Sequence, residues 1–186
     1  MSTACDERAA SRPARTFDAV VARAHRGEPL GMRVEAFGAA MHVVTVGAEA
    51  GRDSAVGRYN RAAATECRVR EGDYIVAING CSGPLAEMAE LLHDERFEMT
   101  VRRPKVSTVA IPRAGKALGF GVAYHAHGAS LTVSNVDEDG AARRAGADIA
   151  DGDRIVAVNG RRGRGEDLLA ELKLSDSPDL TISRCE

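Results

Sequence analysis

The sequence predicts a mainly β protein with some helix (α+β), organised as two copies of one module, and three observations carry that prediction. The first is a duplication: Gly72-Asp73-Tyr74-Ile75-Val76-Ala77-Ile78-Asn79-Gly80 returns 80 positions later as Gly152-Asp153-Arg154-Ile155-Val156-Ala157-Val158-Asn159-Gly160, with seven of nine residues identical. The second is an upstream match, Pro29-Leu30-Gly31-Met32-Arg33-Val34 against Ala117-Leu118-Gly119-Phe120-Gly121-Val122, at an offset of 88. The third is that each copy continues into a short helical pattern and then an alternating strand. Strands therefore dominate, with two small helices per copy.

The elements follow from local patterns. Ile-Val-Ala-Ile and Ile-Val-Ala-Val are rich in β-branched residues, as a buried strand requires, and the Asn-Gly that ends each is a strong tight-turn signal. Leu85, Met88, Ala89, Leu91 and Leu92 recur at helical spacing, as do Leu168, Leu169 and Leu172, so each copy carries an amphipathic helix after the turn. Phe97, Met99 and Val101 alternate with Glu98, Thr100 and Arg102, and Leu180 and Ile182 with Thr181 and Ser183, which predicts a half-buried closing strand in each copy. The Ala-rich stretches 60–66 and 141–146 are read as short helices before the Gly-Asp turn. The first copy is longer between its matched glycines, and the extra residues are assigned to a loop over 47–59. Arg103-Pro104-Lys105 separates the copies, proline restricting the residue before it. The expected boundaries are a tail at 1–15 that is small, polar and aperiodic and is read as disordered, a first domain at 16–103 and a second at 107–186.

Composition narrows the function classes. With 186 residues, 44% hydrophobic, the chain is large enough to bury a substantial core, and a net charge of −2 argues against a dedicated nucleic-acid binder. No apolar run reaches the ~18 residues of a membrane span, and the first fifteen residues lack a signal's apolar core, so a cytoplasmic protein is expected. Cys5, Cys67, Cys81 and Cys185 form no C-x-x-C pair and are read as reduced thiols, with a Cys67–Cys81 bridge left open.

The ordered features, a Leu-Gly-Phe loop, a strand, Gly-Asp-x-Ile-Val-x-Val-Asn-Gly and a Leu-rich helix, resemble the PDZ family, and the resemblance extends over about 24–103 and 107–184. It implies two small, partly open β-sandwich or barrel modules, each of five to six strands and two helices. It also implies a non-catalytic scaffold or adaptor that binds the C-terminal tails, or internal extended segments, of other proteins and uses no cofactor. Capture would proceed by strand addition, with the terminal carboxylate held by backbone N–H groups of the glycine-containing loop. The donors would be Leu118, Gly119 and Phe120 in the second copy, where Lys116 adds attraction unless it is only a solvated lysine, and Leu30, Gly31 and Met32 in the first.

The peptide would pair with the strand at 120–124, which includes Gly121 and Val122, or with that at 32–36, which includes Val34. The last side chain would enter an apolar socket formed by Leu118, Phe120, Val122, Leu169 and Leu172, or by Leu30, Met32, Val34, Ala89 and Leu92. The simpler alternative for the helix leucines is core filling. Family members selective for Ser or Thr two residues before the terminus usually carry a histidine at the start of the second helix. Here Leu85 and Gly165 stand there, which implies an apolar preference in the first copy and a permissive groove in the second. The run Gly163-Arg164-Gly165 further suggests a loosely formed groove edge.

Other chemistries are weaker. His125-x-His127 is at best half of a metal site, loop histidines being the plainer reading, so no metal is expected. Gly80-Cys81-Ser82-Gly83 has a faint nucleophile-like spacing but directly follows the repeat's turn, and no catalytic residue is assigned. Arg161, Arg162 and Arg164 form a basic loop with the charge for weak contact with an anionic membrane surface, a solvated loop being the commoner outcome. Two further alternatives stay open: a regulatory pair that partners a protease, and a structural tandem in which one or both grooves are covered.

Overall fold

The computed structural model describes residues 16–37, 40–47, 54–125 and 128–186. The expected tail at 1–15 lies outside the described residues, as do His127 and residues 48–53 of the loop assigned to 47–59.

Among the described residues ten strands form two five-stranded antiparallel sheets. In the first module the elements are β1 (Thr16–Ala22), β2 (Met32–Phe37), β3 (Ala40–Val46), α1 (Ala55–Ala62), a single 3-10 turn at Thr65–Cys67, β4 (Tyr74–Ile78), α2 (Leu85–Leu91) and β5 (Arg96–Arg102). In the second they are β6 (Lys105–Ala110), β7 (Gly121–Ala123), β8 (Leu131–Ser134), α3 (Ala141–Arg144), β9 (Arg154–Val158), α4 (Gly165–Leu174) and β10 (Asp179–Arg184). The sheet orders, β1-β5-β4-β3-β2 and β6-β10-β9-β8-β7, are the same topology repeated.

The alternation read from the sequence sets the inner faces. Phe17, Ala19 and Val21 of β1 lie opposite Val101, Met99 and Phe97 of β5, and all six are buried. Met88 of α2 and Leu92 at its C-cap close that core, while Leu168 and Leu172 of α4 close the second over Leu131, Ile155, Leu180 and Ile182. Removing side chains of this size from water contributes about 1.5–3 kcal/mol each. Asn79 and Gly80 (φ 50° and 75°), like Asn159 and Gly160 (φ 51° and 74°), form the expected tight turns, with Cys81 and Arg161 bridging back to Ile78 and Val158.

One expected element moves. The helix placed at 60–66 runs instead over Ala55–Ala62, starting within the segment assigned to a loop. Its start is decided by Ser54, whose side chain accepts the Gly57 N–H at 3.2 Å, and by burial of Ala55 and Val56. The strand expected at 120–124 is shorter than its counterpart, with only Gly121–Ala123 paired to β8. Cys67, Cys81 and Cys185 are free thiols.

The modules meet through the sheet faces opposite their helices. Side chains alternate along β2, so Met32 and Val34 pack toward the first core while Glu35 faces the second module. Glu35, His42 and Tyr74 are successive cross-strand partners over β2, β3 and β4, and Thr132, Arg154 and Ser183 are the same over β8, β9 and β10. Glu35 Oε2 lies 3.0 Å from Arg154 Nη1, and Tyr74 Oη donates to Ser183 O at 3.1 Å. Beside these contacts lies a cleft of about 720 Å³, bordered by Arg33, Val106, Arg162 and Arg164 among others, so two arginines of the basic loop face the space between the modules.

Candidate peptide groove and terminal-carboxylate loop

The loop before each edge strand is oriented by its carbonyls. In the second module Ala141 N–H donates to Ala117 O at 3.3 Å, Ala142 N–H to Leu118 O at 2.9 Å and Asp137 N–H to Gly119 O at 2.7 Å. In a trans peptide the C=O of one residue and the N–H of the next point in opposite directions. Anchoring these three carbonyls therefore turns the amides of Leu118, Gly119 and Phe120 the other way. None of the three donates to an acceptor among the described residues.

The first module repeats the device. Ala55 N–H donates to Pro29 O at 3.1 Å, Val56 N–H to Leu30 O at 3.0 Å and Gly47 N–H to Gly31 O at 2.7 Å, which turns out the amides of Leu30, Gly31 and Met32. The loop glycines are required twice over. Gly31 and Gly119 have φ of +80° and +84°, and a Cβ on Gly119 would run into the Gly140 backbone, one on Gly31 into Ser54. Gly140 and Ser54 were not among the residues singled out from the sequence. Their role depends on close approach between segments more than 20 residues apart, which no local pattern encodes.

Glu28 holds the entry to the first loop. Its carboxylate is paired with Arg58 of α1, whose Nη2 also donates to Ala22 O at 2.7 Å. The Arg58 guanidinium foremost, and then the Ala24 amide, hold the Glu28 carboxyl down to about 2. In the corresponding turn of the second module Lys116 is exposed and precedes the loop by one residue.

The socket residues divide by burial. Leu92, Leu118 and Leu172 are buried within the cores, whereas Leu30, Met32, Val34, Ala89, Phe120, Val122 and Leu169 are partly exposed and pack against those cores. Of the second-helix residues assigned to the sockets, Ala89 and Leu169 are the two within reach of solvent. Gly121 begins β7, and β2 and β7 are the last strands in their sheets. Leu85 and Gly165 are the first residues of α2 and α4.

Gly165 is buried, and its N–H donates to Gly128 O at 2.8 Å. Cys81 and Ser82 follow the tight turn as part of the repeat. Among the described residues no three His, Cys, Asp or Glu side chains are grouped to hold a metal ion, and no helix is long and apolar enough to cross a membrane.

Two crystal forms of choanoflagellate (Monosiga brevicollis) Dlg1 PDZ2 are similar to part of the chain at 25% identity. One covers 44% of this chain and 100% of its own, with a TM-score of 0.37; the other covers 42% and 90%, with a TM-score of 0.35. No curated protein matches the sequence. Residues 107–170, which hold the Leu-Gly-Phe loop, the edge strand and the start of α4, match the family model described as PDZ domain. The match to a PDZ domain therefore falls at residues 107–170, in the second module, and the module before it has the same strand order.

Proposed function

We propose that this chain is a non-catalytic adaptor whose two modules take the C-terminal tails of partner proteins, each laid as an added strand against β2 or β7. The PDZ match makes it a peptide-binding interaction protein at the coarse level. The terminal-carboxylate mode is supported chiefly by one observation, the anchoring of three consecutive loop carbonyls in each module. Outward amides converging on one point form a site for an anion, and hydrogen bonds to a charged acceptor contribute roughly 1.5–3 kcal/mol each. The partly exposed residues beside the loop give the last side chain an apolar seat. The modules dock through the faces opposite their helices, with the residues before α4 bordering the cleft between them and the body of each helix on the far side. This favours two usable grooves over a tandem that covers one. A cytoplasmic setting fits the free thiols.

The discriminating experiment compares fluorescent peptides that end in a free carboxylate with the same peptides ending in an amide. Loss of at least tenfold in affinity on amidation is expected. Equal affinity of the two forms would remove terminal-carboxylate capture and leave internal-segment binding.

A further inference from the structure

In the second module the chain's own Tyr124 lies against the start of α4. Phe120, Val122 and Tyr124 share one side of the edge segment by alternation, and Phe120 and Val122 pack against the core that α4 closes. Tyr124 comes next on that side, just beyond the end of β7, and there it meets the first residue of α4. A Cβ on Gly165 would lie 2.6 Å from Tyr124 Cβ and 2.8 Å from its Cγ, so only glycine admits the phenol ring at that spot. The Gly165–Gly128 hydrogen bond of 2.8 Å ties the helix start to the segment after the edge strand. Between the carboxylate loop and this contact, β7 offers just Gly121–Ala123 for pairing.

The first module has the opposite arrangement. At the repeat offsets of 88 and 80, Tyr124 corresponds to Ala36 and Gly165 to Leu85. The large residue sits on the helix and the small one on the strand, and β2 continues past Ala36 to Phe37. The exchange of large for small across equivalent positions marks the Tyr124–Gly165 contact as specific to the second groove.

We infer that the second module reads only about the last three residues of a tail, with Tyr124 over Gly165 setting the length limit. This rests on the tail-binding reading above. A strand that pairs along an open edge gains about two- to tenfold in affinity per added backbone hydrogen bond. Here that gain should stop after the third residue.

The test is an NMR titration of the full chain, in which the Phe120 and Val122 amides report the second groove separately from Val34 in the first. The probes are acetyl-Ala-Ala-Val and the hexapeptide with three further alanines upstream, both ending in a free carboxylate. The expected result at Phe120 and Val122 is an affinity gain below threefold on lengthening. In Tyr124→Ala the same lengthening should give threefold or more, and in Tyr124→Phe, which keeps the ring, less than threefold. A gain of threefold or more in the wild-type chain overturns the length limit, as does a gain below threefold in Tyr124→Ala. If neither peptide moves the Phe120 or Val122 amides, the tail-binding reading itself fails, an outcome distinct from binding that ignores Tyr124.

Discussion

Glu35 and Arg154, 119 residues apart in the chain, form an ion pair with side-chain exposures of only 10% and 3%. Ser130 Oγ accepts from Arg154 Nη1 at 2.9 Å, and the Ala129 amide donates to Glu35 Oε1 at 2.7 Å, so each charge is satisfied on more than one side. The contact joins the edge strand of the first module to β9, the Gly-Asp repeat strand of the second. A tether as short as Arg103-Pro104 would by itself allow many relative orientations; this pair and Tyr74–Ser183 select one.

Breaking that pair from one side should be costly. Glu35→Gln leaves the Arg154 guanidinium buried without its counter-charge, and an uncompensated buried charge destabilises by roughly 3–5 kcal/mol. Urea unfolding should show a loss of about that size, with Glu35→Gln/Arg154→Met recovering part of it. A change below ~0.5 kcal/mol in the single variant would show that the modules do not depend on this contact.

Acid should loosen the same interface through His42. The ring stacks at a tilt on Tyr74, 5.2 Å between centroids, and neither nitrogen has a partner among the described residues. Burial, and then the nearby Arg154, push His42 down to about 4, with Glu35 opposing. A histidine whose folded pKa lies below its ordinary 6.5 is held neutral, so the unfolded chain takes up the proton first as pH falls. Its contribution is intact above pH 6.5, declines between 6.5 and 4, and amounts to at most ~3 kcal/mol. Unfolding midpoints across that range should fall less steeply in His42→Phe than in the wild-type chain. Superimposable profiles would assign the acid response to other groups.

Leu169 and Leu172 should separate binding from folding. Leu172 is buried at 3% exposure, so Leu172→Ala leaves a cavity and should cost about 2–5 kcal/mol in stability. Leu169 is only partly buried and packs against the same core as Phe120 and Val122, and Leu169→Ala should cost less than ~1.5 kcal/mol while weakening peptide binding several-fold. Denaturation paired with peptide titration checks both. A Leu169→Ala chain that binds as tightly as the wild type would place that residue in the core alone.

The duplication, the turns at Asn79-Gly80 and Asn159-Gly160, the closing strands and the loop positions Leu30, Gly31, Leu118 and Gly119 were legible in the sequence. Each is encoded by residues close together: period-two alternation, Asn-Gly chemistry, or a motif repeated at a fixed offset. The helix at Ala55–Ala62 was not legible in place, because its start depends on Ser54 and on the carbonyls of Pro29 and Leu30, which approach it only in the folded chain. Glu35, His42 and Arg154 read as ordinary strand polar residues, since alternation tells which face a residue occupies and not what covers that face.

By itself, then, the sequence determined that there are two copies, which residues line each inner face and where a glycine must open each loop, because these follow from local sterics and from burial of periodic apolar side chains. The tertiary structure alone decided which way the loop amides point, that a buried polar row joins the modules, and that Tyr124 rests on Gly165. Those depend on carbonyl partners, charges and van der Waals contacts brought together from distant parts of the chain.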